Sequence, residues 1–273
     1  MDFSNHVFII TGAASGIGQQ LAIQAAGAGA KVIALDINET GLHTTAASSN
    51  RITVKKLDVS DEHAITSFAS ETLNTLQGEK LVLINNAGVA LVSGTFSDTS
   101  LEDIQWLMNI NFWGVVRMTK AFYPYFIKQN SGHIVNVSSA FGLIGFMYQS
   151  AYCPSKFAVR GFTETLRMEL LATGIKTHSV HPGGIDTGIV DNGKFTGVQS
   201  ERKNLHASEF KKTAITTSEE AARVILNGII HNKERILIGS DARAIDRLAR
   251  LFPSSFSSMI SKQLKKKFTD HYI

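Results

Sequence analysis

Val7-Phe8-Ile9-Ile10-Thr11-Gly12-Ala13-Ala14-Ser15-Gly16-Ile17-Gly18 is an apolar run closed by spaced glycines. Four apolar residues without alternation mark a strand covered on both faces. Beyond the glycines, Leu21, Ile23 and an alanine-rich stretch to Ala28 read as a helix. The glycines therefore sit between a strand and a helix N-terminus. There they let the backbone turn tightly and let a pyrophosphate approach the helix dipole. Their spacing, Gly-x-x-x-Gly-x-Gly, is not the commoner Gly-x-Gly-x-x-Gly, so the flanking strand and helix carry the reading.

Outward from this stretch the strand–helix alternation repeats. Lys31 to Asp36 reads as a second strand that ends in an acid, 18 residues beyond Gly18. A carboxylate so placed would take the ribose hydroxyls of an adenosine; capping the segment after Asn38 is its competing role. Glu39 to Ser48 reads as a helix, Ile52 to Leu57 as a strand leading to Asp58 and Val59, and Asp61 to Leu76 as a helix with Ile65, Phe68 and Leu73 inward. Leu81 to Ile84 forms a fourth strand, closed by Asn85-Asn86-Ala87-Gly88. A long helix is expected from Ser100 to Ile127. Asn109, Asn111 and Gly114 should break it locally, and Pro124 should kink its end. His133 to Val137 and Lys176 to His181 are the fifth and sixth strands, the latter running into Pro182-Gly183-Gly184-Ile185-Asp186-Thr187. Residues from about 188 to 212 lack a clean period and read as a substrate lid. Ser218 is expected to cap a helix to Ile230, Arg235 to Gly239 to form a last strand, and 241–273 to form a helical basic extension.

No repeat or linker composition divides the chain. The pattern predicts an α/β fold: a single domain built on a doubly wound parallel sheet of Rossmann type. Ligands of such sheets bind at the carboxyl ends of the strands. Gly12 to Gly18, Asp36, Asp58, Asn85, Ser139 and Pro182 to Thr187 each follow a strand.

Bulk properties narrow the classes. At 273 residues with formal charge +4, the chain suits one large domain. The basic residues are scattered until the C-terminus, so no nucleic-acid partner is expected. A single cysteine, Cys153, excludes an internal disulfide and a cysteine-based zinc site, and fits a reducing, cytoplasmic setting. No metal site is expected. No stretch approaches the length of a membrane span, and Met1 leads almost directly into a strand, so a soluble, unprocessed chain is expected.

The chemistry concentrates between Asn136-Val137-Ser138-Ser139 and Tyr152-Cys153-Pro154-Ser155-Lys156. On a helix, Tyr152 and Lys156 stand one turn apart on one face. An ammonium about 4 Å from a phenol, at an effective dielectric near 20, is worth roughly 4 kcal/mol, or about 3 pKa units. That predicts a tyrosine shifted toward neutral pH, where a general acid/base works best. Tyr-x-x-x-Lys also arises on ordinary helices, so the rest of the chain must support the assignment.

Residues 5–240 together resemble the short-chain dehydrogenase/reductase family, in its ordinary, non-extended branch. The resemblance rests on Thr11-Gly12-x-x-x-Gly16-x-Gly18, Asn85-Asn86-Ala87-Gly88, Asn111-Phe-Trp-Gly114, Tyr152-x-x-x-Lys156 and Pro182-Gly183. It implies an oxidoreductase in which Tyr152 is the general acid/base. Lys156 would lower the tyrosine pKa and bind the nicotinamide ribose. Ser139, 13 residues before Tyr152, would hydrogen-bond the carbonyl or alcohol, and Asn111 would hold a water in a proton relay. The implied cofactor set is Gly12, Ser15, Gly16, Ile17, Gly18, Asp36, Asp58, Val59, Asn85, Ala87, Pro182, Gly183, Ile185 and Thr187, together with Tyr152 and Lys156. Asp58 and Val59 would flank the adenine, and Pro182 to Thr187 would meet the nicotinamide end. Asp36 points to NAD rather than NADP, because no Arg or Lys stands in the glycine loop or directly after Asp36 to offset a phosphate.

The expected substrate is a secondary alcohol or ketone, apolar and of medium to large size (aryl, alkyl, retinoid or steroid-like), since Phe141, Leu143, Ile144, Phe146, Met147, Tyr148, Ile189, Val190 and Phe195 cluster near the site in sequence. The same residues could equally pack loops or a subunit contact. A 3-oxoacyl-carrier-protein reductase and a non-enzymatic dinucleotide sensor on the same fold are the alternatives. Asp36 and the long tail argue against the first, the intact Asn111, Ser139, Tyr152 and Lys156 set against the second. The resemblance also implies a homotetramer or homodimer. In the tail, Phe256, Met259, Ile260, Leu264 and Phe268 share a helical face beside Lys262, Lys265, Lys266 and Lys267. Packing on the chain's own domain or on a partner subunit is the favoured reading, and attachment to an anionic membrane surface the other.

Overall fold

A computed structural model describes residues 1–190, 192–196 and 214–259. Seven parallel strands form one sheet. They are β1 (His6–Thr11), β2 (Lys31–Asp36), β3 (Ile52–Lys56), β4 (Lys80–Asn85), β5 (Gly132–Val137), β6 (Ile175–Pro182) and β7 (Arg235–Ile238). Their spatial order is β7-β6-β5-β4-β1-β2-β3. The chain runs outward from β1 through β2 to β3, then crosses back to place β4 on the other side of β1. Ile10 is accordingly in register with Ala34 on one flank and Ile84 on the other. That reversal opens a crevice at the carboxyl ends of β1 and β4.

The unbroken apolar strand has the predicted cause. Phe8 and Ile10 enter a core shared with α1 (Gly16–Gly27), α2 (Glu39–Ala46) and α7 (Ser218–Ile230), through Leu21, Leu42 and Ile225. Val7 and Ile9 enter the opposite core, with α3 (Glu62–Leu73), α5 (Gly114–Gln129) and α6 (Tyr152–Glu169), through Phe68, Phe122 and Leu166. The sheet is thus doubly wound in a single α/β domain.

The long central helix is interrupted as expected. α4 (Leu101–Met108) passes into a π-helical stretch, Asn109–Trp113, before α5 begins. Pro124 lies inside α5, which continues to Gln129 and stops at Asn130 in the left-handed region (φ 45°). The buried face of Phe122, Tyr125 and Phe126 holds the helix through the proline. Ser218 is not the cap of α7. Thr217 accepts the Glu220 amide, and Ser218 Oγ donates to the Asp186 carbonyl.

Of the expected lid, residues 188–190 and 192–196 are described. Lys194–Phe195 pairs with Leu91–Val92, and Lys194 Nζ lies 2.6 Å from Asp103 Oδ1. Residue 191 and residues 197–212 lie outside the described residues. The extension opens as α8 (Ser240–Leu251), and Phe256 is buried with Leu143 and Ile144. That part of the tail packs on its own domain. Ile260, Lys262, Leu264, Lys265, Lys266, Lys267 and Phe268 lie outside the described residues. Among the described residues no helix is long and apolar enough to cross a membrane.

Candidate active site

The glycine loop between β1 and α1 has the shape its residues require. Gly12 (φ 68°) and Gly16 (φ 56°) occupy the left-handed region, which side chains disfavour. A Cβ on Gly18 would sit 2.0 Å from the Gly12 carbonyl oxygen, so the first turn of α1 packs onto the loop only as glycine. Asn86 clamps the loop from the neighbouring strand end, donating Nδ2 to the Thr11 and Gly12 carbonyls at 3.0 and 3.1 Å. Thr11 Oγ1 in turn accepts the amides of Asn86 and Ala87, both at 3.0 Å. Ser15 stands at the N-cap of α1, but its side chain makes no capping bond, and the first turn carries no acid. The helix therefore presents unsatisfied amides toward a cleft of about 330 Å³, lined by Gly16, Gln19, Gln20, Asp186, Thr187, Gly188 and Ser218. Bare glycine backbone and open amides fit a pyrophosphate.

Asp36 ends β2 against this loop. Its two oxygens accept the Ala14 and Asn38 amides, both at 3.0 Å. Asn38, not Asp36, caps α2, through the Gly41 amide. Asp58 is exposed and folds back on Ser60, while Val59 is buried against Gly114. Ile185 is a core residue, and Thr187 lies beside Gly16. Ile17 packs partly on the same core.

Asn85 departs from its expected place. Its side chain is 1% exposed and donates to Thr119 Oγ1 at 3.0 Å and to Asn136 Oδ1 at 2.8 Å. Asn136 passes the chain on to Thr163 Oγ1 at 2.9 Å. The Asn85 side chain is therefore a strut between sheet and helices, not a group facing the cleft.

The reacting end is built from β5 and α6. Ser138 and Ser139 leave β5 on opposite sides. Ser138 Oγ is buried and donates to the Lys156 carbonyl at 2.7 Å. Ser139 Oγ accepts the Phe141 amide at 3.1 Å, and its side chain lies near enough to the Tyr152 phenol to lower the phenol's pKa. Lys156 is 3% exposed, and its Nζ donates to the Val137 carbonyl at 3.1 Å. Burial pushes the Tyr152 phenol up to about 12, against the lowering effect of Ser139. Burial also pulls the Lys156 ammonium down to about 8. The expected descent of the phenol toward neutrality is thus corrected. The ammonium sits 5.7 Å from the ring centroid and is directed at a backbone carbonyl, so desolvation wins.

Asn111, wholly buried in the π-helical stretch, accepts the Val89 amide at 2.8 Å and donates to the Val89 carbonyl at 3.0 Å. A Cβ on Gly88 would lie 3.3 Å from both Asn111 Oδ1 and Lys156 Nζ, so any side chain on this loop would crowd the point where they meet. Three residues that sequence reasoning did not single out complete the cluster. Ser155 bonds to Asn111 Nδ2 and to the Tyr152 carbonyl. His181 bonds through Nδ1 to the Ser139 carbonyl at 3.0 Å and through Nε2 to Ser179 Oγ at 2.9 Å. Asp241 accepts the Gly184 amide. Of these, only His181, directly before Pro182-Gly183, carried a signal in its position.

On the substrate side, Phe141 and Phe146 stack at 4.9 Å, and Phe141 meets Tyr152 edge-on at 6.4 Å. Leu143 and Ile144 are buried under Phe256 and the inner face of α8. They pack the loop instead of lining open space.

Known proteins share this arrangement. A family model described as short chain dehydrogenase matches residues 6–194. SadH of Mycobacterium tuberculosis, an oxidoreductase by name, is 38% identical across 97% of this chain and 98% of its own length. Estradiol 17-beta-dehydrogenase 11 of Homo sapiens is 32% identical across 97% and 85%. The crystal structure of a short chain dehydrogenase/reductase from Burkholderia phymatum in complex with NAD superposes with a TM-score of 0.82 at 27% identity, covering 92% of this chain and 94% of that one. The closed form of a serine dehydrogenase complexed with NADP+ gives 0.73 at 25%, covering 85% and 93%. The parallel sheet, the glycine loop and these likenesses lead to one conclusion: the chain belongs to the short-chain dehydrogenase/reductase family of oxidoreductases.

Proposed function

We propose that the protein transfers a hydride between NAD(H) and a secondary alcohol or ketone of apolar character and medium to large size. The observation that carries this is the meeting of the Ser139 and Tyr152 side chains, with buried Lys156 behind them, at the same sheet edge as the glycine loop. A nicotinamide dinucleotide, when bound, supplies or receives the hydride. Gly12, Ser15, Gly16, Ile17 and Gly18 would hold its pyrophosphate, Asp36 its adenosine ribose, and Pro182, Gly183, Ile185 and Thr187 its nicotinamide end.

A phenol pushed up to about 12 keeps its proton at neutral pH. Tyr152 is therefore set to donate to a carbonyl oxygen that Ser139 also hydrogen-bonds. Donation leaves a phenolate, whose charge the Lys156 ammonium, charged below about pH 8, offsets; in the opposite direction it is this phenolate that takes the alcohol proton and becomes the neutral phenol again. Asn111 keeps the Gly88–Val89 backbone beside that ammonium. The Phe141–Phe146 stack and the kinship with an estradiol dehydrogenase support a bulky apolar substrate. Trp113 and Phe157, 49% and 39% exposed next to the catalytic elements, support a homodimer or homotetramer that covers them. The single, buried Cys153 supports a cytoplasmic setting.

For NAD over NADP, the support is Asp36, held by two amides where a ribose phosphate would meet its charge. One cation was overlooked in the sequence. Lys56 is in register with Asp36 on β3, but it is paired with Glu39. The test is kcat/KM for a panel of secondary alcohols with each cofactor. NAD is expected to be preferred by at least about tenfold, and Asp36→Ser to narrow the gap. Equal or better use of NADP by the unmodified protein would overturn the cofactor assignment. Dinucleotide binding without oxidation of any alcohol, or reduction of the matching ketones, would overturn the enzymatic reading.

A further inference from the structure

The first turn of α8 sends one carboxylate back to the turn after β6. Asp241 Oδ2 accepts the Gly184 amide at 2.7 Å. Its Oδ1 is buried and has no hydrogen-bond partner. A Cβ on Gly183 would lie 2.1 and 2.2 Å from the two oxygens, and one on Gly239 2.3 Å from Oδ1. Two residues on either side thus lack side chains where this carboxylate lies. The Gly183 amide donates to the Ile238 carbonyl at 2.9 Å, so the turn is fixed at consecutive residues by the end of β7 and the start of α8. Asp241 forms no bond to the amides of its own helix, whose N-cap is Gly239. A carboxylate oxygen buried without a partner is costly, and its persistence points to a constraint from elsewhere.

The constraint lies downstream. After Gly184, Ile185–Asp186 pairs with Thr216–Thr217, and Thr187 Cγ2 lies 3.2 Å from where a Cβ on Gly16 would stand. A shift at Gly184 would therefore be passed to Thr187 and the rim of the glycine loop.

We propose that Asp241 is a positioning residue for the nicotinamide half of the dinucleotide site, acting through Gly183 and Gly184 to set the Pro182–Thr187 turn. This rests on the reading of that turn as the nicotinamide end. Asp241 touches neither substrate nor cofactor. Its effect is confined to the half of the site that the turn builds, and the adenosine half, held by Asp36 and the glycine loop, does not depend on it.

That division gives the test. NADH and ADP-ribose, which lacks the nicotinamide, are titrated into the full chain by fluorescence and calorimetry. Asp241→Ala is expected to weaken NADH about tenfold and ADP-ribose by less than about twofold, the loss of one charge-assisted hydrogen bond. Asp241→Asn, which keeps an acceptor for the Gly184 amide, is expected to restore most of the NADH affinity. Gly183→Ala drives a methyl into the carboxylate; it should weaken NADH selectively in the native background and much less in the Asp241→Ala background. If Asp241→Ala does not fold, Gly183→Ala and Asp241→Asn carry the same comparison. Equal losses for the two ligands, or unchanged NADH binding, would overturn the positioning role while leaving the proposed function intact. Failure of the unmodified protein to bind either ligand would overturn both.

Discussion

The Ser139 side chain stands beside the Tyr152 phenol, and the neighbouring Ser138 hydroxyl closes on the Lys156 carbonyl. The two serines therefore differ in what their loss does. Ser139→Ala removes a group that meets the phenol and the substrate oxygen, and it should lower kcat/KM by about 10²-fold or more. Ser138→Ala removes a helix tether, so it should lower thermal stability with little change in turnover per folded molecule. Tyr152→Phe should lower kcat by about 10³-fold while NADH titration stays within error, because the ring remains and only the titrating hydroxyl goes. Equal kinetic losses in the serine variants, or a phenylalanine variant within tenfold of wild type, would contradict the assignment. The positions of these side chains were legible, because strand parity and helical spacing are local. The charge on the phenol was not. Its pKa depends on how deeply the fold buries it and on where the Lys156 ammonium turns, and neither is written in a five-residue spacing.

At the scale of elements, a chain of hydrogen bonds runs from α5 through β4 and β5 to α6: Thr119, Asn85, Asn136, Thr163. Each link is buried, and Asn85 Oδ1 already lacks a partner. Asn136→Val should therefore cost about 1–3 kcal/mol, read as a lower urea midpoint at unchanged slope, because it leaves an Asn85 donor on one side and the Thr163 acceptor on the other buried without a partner. A variant as stable as wild type would show that the chain holds nothing together. The sequence placed Asn85 at a strand end but could not reveal that Asn136 stands beside it on β5, since register is set by the whole sheet. The π-helical stretch was legible for the opposite reason: Asn109, Asn111 and Gly114 are each poor in a helix interior, and they fall together. Pro124 lies inside α5, where the packing of Phe122, Tyr125 and Phe126 offsets a local loss of about 3 kcal/mol.

Across the whole molecule, two buried histidines, His178 and His181, and the half-buried His133 set the acid limit. His133 and His178 bond to each other at 2.9 Å across β5 and β6, with His6, Lys80, Lys176, Arg167 and Glu234 around them. His181 stands near Arg235, Arg160 and Glu164. Burial pulls the three down to about 3, 4 and 4. Between those values and the ordinary histidine pKa, the unfolded chain binds more protons than the folded one. Stability is therefore greatest above about pH 6.5 and falls as the pH drops, by up to roughly 4 kcal/mol per pH unit if all three take part. Urea midpoints from pH 7 to 4 should show this, and His178→Gln should flatten the slope; a midpoint constant over that range would contradict it. The doubly wound parallel sheet and the gathering of candidate residues at its carboxyl edge followed from alternation, whereas the order of the strands and contacts between distant segments, such as Phe256 on Leu143, did not. That last contact bears on how the protein is made. A ribosome releases residues in sequence, so the central strands and the glycine loop leave it early, while β7, α8 and Phe256 emerge well after them. A chain whose translation stops short of Phe256 carries the cradle for the dinucleotide, but with the loop beside Tyr152 uncovered. The integrity of the reacting end therefore depends on the chain being made at least as far as Phe256.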